Sequence, residues 1–128
     1  MKVALYGFIA LGGALGSLGR YLLSTWIYSK SDAVFPWGTY IVNILGCFVL
    51  GMIYVWGAEK MVIGPNMRTF LTVGFLGAFT TFSTFSLETL NIIKGGEIKI
   101  ALLNIAGSVV VGLLAVWLGT VVAHLASR

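Results

Sequence analysis

Hydroxyl side chains are concentrated in one short stretch of this chain. Five occur between positions 80 and 86 on an otherwise apolar background: Thr80, Thr81, Ser83, Thr84 and Ser86. A hydroxyl in an apolar helix bonds back to its own helix or across to a neighbouring one, but five close together favour distortion of the backbone. Gly74 and Gly77, just before them, weaken a helix further. We therefore predict a broken helix near Gly77 to Thr80, the alternative being a continuous helix whose hydroxyls bond to its neighbours.

Two stripes of side chains cross this stretch. An aromatic stripe recurs every three residues: Phe79, Phe82 and Phe85. A polar line lies beside it at positions i, i+3 and i+7: Thr81, Thr84 and Glu88. Irregular backbone at membrane depth is tolerated only inside protein or along a watery cavity, and interrupted helices there commonly hold an ion or a substrate. The stretch is therefore the predicted functional site.

The composition identifies the setting of this site. Of the 128 residues, 59% are hydrophobic and 9% are charged, whereas a soluble domain has about 25% charged residues. Four apolar segments each exceed the roughly 20 residues that a spanning helix needs: 3–28, 37–58, 69–93 and 100–126. The sequence therefore predicts an all-α membrane protein, a single domain over residues 1–128, with four transmembrane helices and the third broken in mid-membrane.

Basic residues are balanced between the two predicted sides of the membrane. One side carries Lys2, Lys60, Arg68 and Arg128, and the other carries Lys30, Lys94 and Lys99, with Arg20 in the nearer half of the first span. Orientation follows asymmetry of Lys and Arg in short loops, and almost none exists here. We therefore expect the chain to insert in both orientations and to form an antiparallel homodimer. The alternative is that a bias not visible in these counts fixes one orientation. The scattered charges do not indicate a nucleic-acid partner.

Three further polar side chains lie within the predicted spans. Arg20 follows Gly12 and Gly16 at steps of four, so it either faces protein or extends to the interface as an anchor. Asn43 either ties helices together or offers its amide donors to an ion. Asn104 belongs to a stripe predicted to be a packing face: Asn104, Ser108, Gly112, Ala115 and Gly119.

No motif for catalysis is found. Glu88 is the only acid in the predicted spans, Cys47 is the only cysteine, and His124 has no second ligand at metal spacing. We therefore expect no enzyme.

Three motifs together resemble the small fluoride channels of the Fluc or CrcB family. They are GFLG at 74–77 followed by FTTFSTFS at 79–86 and Glu88, GGxxGxxxRY at 12–21, and GTxxxNxxG at 38–46. The resemblance implies an antiparallel homodimer in the inner (plasma) membrane. It implies two narrow pores that are selective for fluoride over chloride and let fluoride leave the cytoplasm passively.

The resemblance also implies roles for individual residues. Phe82 and Phe85 would turn their ring edges to the anion, with donors from Asn43, Ser83 and Thr84. The remaining residues of the expected pore set are Thr81, Ser108, Glu88 and Arg20. A structural sodium ion would be held at the dimer axis by the carbonyls of Gly77 and Thr80 from both subunits. Family members often carry a larger aromatic or imidazole group at the position of Asn104 and a hydroxyl at that of Gly112, so this chain departs from the pattern there.

Two other classes of membrane protein share some of these features. A dual-topology multidrug exporter has the same size and charge balance, but it needs a carboxylate in the first span, and residues 3–28 contain none. A non-transporting membrane assembly subunit would not need hydroxyls beside phenylalanines.

Overall fold

The computed structural model describes residues 2–128, in which all regular structure is helical. Two segments are π-helical: π1 (Val55–Glu59) continues the second helix, and π2 (Phe70–Leu76) lies within the third segment. The α-helices are α1 (Lys2–Tyr28), α2 (Trp37–Tyr54), α3 (Pro65–Thr69), α4 (Gly77–Phe79), α5 (Phe82–Lys94) and α6 (Ile98–Ala126).

Four stretches are long and apolar enough to cross a membrane: Lys2–Tyr28, Trp37–Glu59, Pro65–Lys94 and Ile98–Ala126. The predicted all-α architecture with four such helices is confirmed, and it indicates a multi-pass membrane protein. The third stretch begins earlier than predicted, at Pro65 rather than position 69, because proline suits the first turn of a helix, where no amide partner is lost.

α1 packs closely on π2 through glycine. A Cβ atom at Gly12 would lie 2.5 Å from the Phe70 carbonyl oxygen, and one at Gly16 would overlap the Phe75 carbonyl. Only glycine lets the two backbones approach this closely. The predicted small-residue face of α1 is thus a packing face, and it brings Arg20, one turn further on, to the level of the hydroxyl-rich stretch.

α6 packs mainly on α2. A Cβ atom at Gly51 would overlap the Val116 carbonyl, and one at Gly119 would overlap the Phe48 carbonyl. The predicted packing stripe of α6 is confirmed, with four of its members buried: Asn104, Gly112, Ala115 and Gly119. Ser108 is only half-buried, because it borders a cavity described below.

The backbone of the third stretch leaves the helical conformation at two adjacent threonines. Thr80 has φ −83° and ψ 156°, and Thr81 has φ −150° and ψ 115°. Gly77, which was predicted to belong to the interruption, has helical angles of φ −60° and ψ −33°. The extended residues are therefore the hydroxyl-bearing pair and not the glycine.

This change of direction separates the aromatic residues on its two sides. The ring of Phe79 stacks on that of Phe75 at a centroid distance of 5.7 Å and lies between Gly19 of α1 and Gly46 of α2. The rings of Phe82 and Phe85 lie 5.6 Å apart and form a separate pair. The predicted continuous stripe through Phe79 is therefore wrong, because a helical period does not extend across two extended residues.

A tight turn joins α5 to α6. Gly96 has φ +85°, a conformation that favours glycine, and the Glu97 amide donates to the Ile92 carbonyl at 3.1 Å. The turn places the two helices side by side and antiparallel.

Candidate functional site

The amide side chain of Asn43 bridges the interruption. Its Oδ1 accepts from the Thr81 backbone amide at 2.7 Å, and its Nδ2 donates to the Thr81 carbonyl at 3.0 Å. In a continuous helix the Thr81 amide would instead donate to the carbonyl of Gly77. Asn43 of α2 therefore replaces backbone bonding of the third segment and fixes the extended residue against α2.

Thr81 also begins α5. Its Oγ1 accepts from the Thr84 amide at 3.2 Å, which caps the first turn, and it lies 3.0 Å from Thr84 Oγ1 and 3.4 Å from Ser83 Oγ. The first amides of a helix of this length carry a partial positive charge. The interruption therefore places a helix N-terminus and three hydroxyls within one turn of each other.

Two cavities flank this helix start, and the larger of these two, with a volume of about 390 Å³, lies on one side of it. Its polar lining comes from Asn43, Thr72, Thr80, Thr81 and Ser108, and its apolar lining includes both Phe82 and Phe85. The Phe82 side chain is 80% exposed on the single chain. The larger cavity is thus an open, mostly apolar groove with a polar strip.

The polar cavity lies on the other side and has a volume of about 220 Å³. Its lining is made almost wholly of polar side chains from three helices: Ser17, Arg20, Tyr21, Ser24, Tyr28, Thr39, Thr81, Thr84 and Glu88. Thr81 lines both cavities and is itself only 7% exposed. Thr81 therefore stands between the two cavities and contributes to both walls.

A cluster of three side chains closes the end of the polar cavity. Glu88 Oε1 accepts from the Tyr28 hydroxyl at 2.6 Å and from Thr39 Oγ1 at 3.0 Å, and the Thr39 amide donates to the Tyr28 oxygen at 3.2 Å. The cluster ties α1, α2 and α5 together. Glu88 Oε2 is buried without a hydrogen-bond partner among residues 2–128. A buried oxygen of this kind is left available to a ligand.

Comparison with known proteins identifies the family. A family profile described as CrcB-like protein, Camphor Resistance (CrcB), matches residues 7–120. The chain belongs to the CrcB family. Among its curated relatives are proteins named fluoride-specific ion channel FluC from Magnetococcus marinus, 46% identical over 92% of this chain and 96% of that protein, and from Hydrogenovibrio crunogenus, 50% identical over 87% and 84%. A third, from Geotalea uraniireducens, is 46% identical over 96% of this chain and 98% of its own length.

The structure divides the residues expected from the CrcB resemblance between the two cavities. The larger cavity takes Asn43, Gly77, Thr80, Phe82, Phe85 and Ser108. The polar cavity takes Arg20, Thr84 and Glu88, and Thr81 borders both. Ser83 lines neither cavity. The predicted polar line of Thr81, Thr84 and Glu88 is confirmed, because all three face the polar cavity.

Two members of the cluster, Tyr28 and Thr39, were not singled out as site residues from the sequence. They lie at the two ends of the first loop, so the hairpin of α1 and α2 brings them together at 3.0 Å between oxygens. Thr39 also shares a helix face with Asn43 one turn further on, which is the signal that points from the sequence to this position. The partner Glu88 is 60 residues from Tyr28, and only the folded chain brings the two together.

Proposed function

We propose that this CrcB family member is a fluoride-selective channel that lets fluoride leave the cytoplasm passively across the inner (plasma) membrane. The observation that carries the proposal is the junction at Thr81, where a helix N-terminus, hydroxyls and two aromatic rings meet between two cavities. Relatives that are 46% and 50% identical are named fluoride-specific ion channels, which supports fluoride as the ion.

The chemistry of the junction suits a small, strongly hydrated anion. Fluoride must exchange water for donors, and hydroxyl protons, the amides at the start of α5 and the positive edges of phenylalanine rings can replace it. Chloride is larger and gains less from such tight donors. Arg20 in the polar cavity adds a positive charge on the approach to the junction. Permeation along these donors would need no covalent change, and we propose that it is passive.

The channel would be an antiparallel homodimer with two pores. The larger cavity is open along one side, and the exposed ring of Phe82 lies at its edge. A second copy would close this groove, and the balance of Lys and Arg between the two sides permits the opposite orientation. The interruption of the third segment would then lie in mid-membrane, buried between the two chains.

The same interruption supplies ligands for the expected sodium ion. In a continuous helix the Gly77 carbonyl would accept from the Thr81 amide, but that amide donates to Asn43. The Thr80 carbonyl would accept from the Thr84 amide, but that amide donates to Thr81 Oγ1. Both carbonyl groups belong to residues that line the larger cavity. Carbonyl oxygens deprived of donors are suitable ligands for a hard cation, and two chains would provide four of them. Bound there, sodium would join the two subunits.

Flux from liposomes tests the proposed activity. The purified chain should dissipate a fluoride gradient, followed with a fluoride electrode, with little chloride flux and without a proton gradient. Phe82→Ile and Phe85→Ile should each lower fluoride flux by about two- to tenfold, because a ring contact contributes about 0.5 to 1.5 kcal/mol. Phe8→Ile is the matched control, since Phe8 contacts Phe70 and lines neither cavity. Equal fluoride and chloride flux from the unaltered chain would refute the proposal.

The same assay separates the other two classes of protein. A proton-coupled multidrug exporter would need an imposed proton gradient and a carboxylate in the first span, and Lys2–Tyr28 contains no acidic residue. A non-transporting subunit would give no flux of either anion.

A further inference from the structure

An asparagine with no site role assigned above is the most deeply buried polar residue of the described chain. Four polar side chains are buried within residues 2–128: Thr39, Thr81, Thr89 and Asn104. The first two belong to the junction and the cluster. The other two, 6% and 1% exposed, bond to each other across the contact between α5 and α6. Asn104 lines neither cavity. Its amide therefore acts inside the protein and not on a permeating ion directly.

The hydrogen bonds of this pair lead to Phe85. Asn104 Nδ2 donates to Thr89 Oγ1 at 2.9 Å, and Thr89 Oγ1 donates to the Phe85 carbonyl at 2.7 Å. The threonine hydroxyl has one proton, which goes to the carbonyl, so its oxygen can only accept from the amide. The directions are thus fixed, and the chain of bonds runs from α6 to the backbone of a ring residue that lines the larger cavity.

The rotation of α5 about its own axis depends on contacts with other helices. The helix starts after two extended residues, so the preceding helix does not determine this rotation. Asn43 holds its beginning at Thr81, and Tyr28 and Thr39 hold Glu88 further along α5. The pair formed by Thr89 and Asn104 holds the face that turns to α6. A leucine in place of the amide would pack as well, but it would not select one rotation.

We propose that Asn104 and Thr89 are positioning residues that set the rotation of α5 and hold the Phe85 ring toward the larger cavity. The inference rests on the proposed fluoride channel and deepens it, because it names the residues that maintain selectivity from behind the pore wall. Loss of the pair would let the ring turn away from the ion, so that discrimination between fluoride and chloride falls while the helices stay packed.

Three variants of the full chain test this role in liposomes. Thr89→Val keeps the shape but removes the hydroxyl, Asn104→Leu removes the amide, and the third variant combines both changes. We expect each single change to lower the ratio of fluoride to chloride flux by about two- to tenfold, the upper value corresponding to the whole net contribution of one buried hydrogen bond. The double variant should be no worse than the single ones, because the two residues act as a unit.

Two controls separate positioning from packing. Thr89→Ser keeps the hydroxyl and should retain the flux ratio. Thr69→Val removes a threonine with the same bond to the carbonyl four residues earlier, at 3.0 Å to Pro65, but with no side-chain partner in another helix. It should also leave the ratio unchanged.

The outcomes are distinguishable from failure of the channel proposal itself. If the unaltered chain carries no fluoride, the proposed function fails. If the unaltered chain is fluoride-selective and Thr89→Val keeps its ratio, this inference alone is overturned. Thr89→Val decides the matter even where Asn104→Leu does not insert, because it preserves the volume and branching of the side chain.

Discussion

Replacing Asn43 by leucine should destabilise the interruption of the third segment. Leucine has a similar volume but cannot bond the Thr81 amide or carbonyl, which Asn43 holds at 2.7 and 3.0 Å. A buried backbone group without a partner costs about 1 to 3 kcal/mol, so two such groups cost about 2 to 6 kcal/mol. Asn43 borders the larger cavity, where water can satisfy one of them, and this favours the lower part of the range.

Thermal unfolding of the purified chain in detergent measures this loss. For a chain of this size, 2 to 3 kcal/mol corresponds to a fall in the midpoint of roughly 5 to 15 °C. Asn91→Leu is the matched control, because Asn91 is an exposed asparagine of α5. If Asn43→Leu unfolded at the same temperature as Asn91→Leu, the role of Asn43 as a replacement for backbone bonding would be refuted.

The Asn43→Asp variant tests the bonds between residue 43 and Thr81 through their dependence on pH. An aspartate can accept from the Thr81 amide, but its ionised form has no proton for the Thr81 carbonyl. The protonated form does have one and reproduces both bonds of asparagine. The unfolding midpoint of the Asn43→Asp chain should therefore rise toward that of the unaltered chain as the pH is lowered. Both chains are measured at each pH. A difference that stays constant with pH would contradict this explanation.

Two predictions concern the assembly. A Cβ atom at Gly77 would lie 3.6 Å from the Thr72 carbonyl oxygen, an ordinary contact, so the Gly77→Ala chain should fold. Its dimer should nevertheless be weaker and depend less on sodium, which cross-linking in sodium and in N-methylglucamine measures. A dimer unaffected in either salt would contradict the proposed cation site. Two lysines added to the 60–64 loop should fix one orientation and lower flux, and a second variant with two lysines in the 29–36 loop should restore it on co-expression. Full activity of a singly biased variant would exclude an obligate antiparallel pair.

The features that the sequence predicts well are those that depend on composition and local spacing. Four long apolar segments require four helices, and glycine at steps of four predicts a close packing face, which Gly12 and Gly16 provide against π2. The density of hydroxyls marks the place where the backbone becomes extended. These signals lie within one segment, so no knowledge of the tertiary contacts is needed.

The features that escape prediction depend on which segments meet. The bond between Tyr28 and Glu88 joins residues 60 positions apart, and the bond between Asn104 and Thr89 depends on how α5 rotates against α6. The hydroxyls and glycines predict a break near Gly77 to Thr80, and the extended residues are Thr80 and Thr81. Their exact place depends on Asn43 of another helix, which offers the partners that make an extended threonine stable there.

The interruption at Thr80 and Thr81 leaves hydrogen-bond acceptors free on one side and hydrogen-bond donors free on the other. The chain before it ends with carbonyl oxygens that have lost their helical donors, and α5 after it begins with amides that have no acceptor within the helix. The first side is suited to a cation and the second to an anion, so the proposed sodium and fluoride sites must lie within a few residues of each other. Asn43 stabilises the geometry on which both depend. Its loss should therefore reduce fluoride flux and sodium dependence together, whereas a change at Phe85, on the helical side alone, should reduce flux and leave the sodium dependence of the dimer intact.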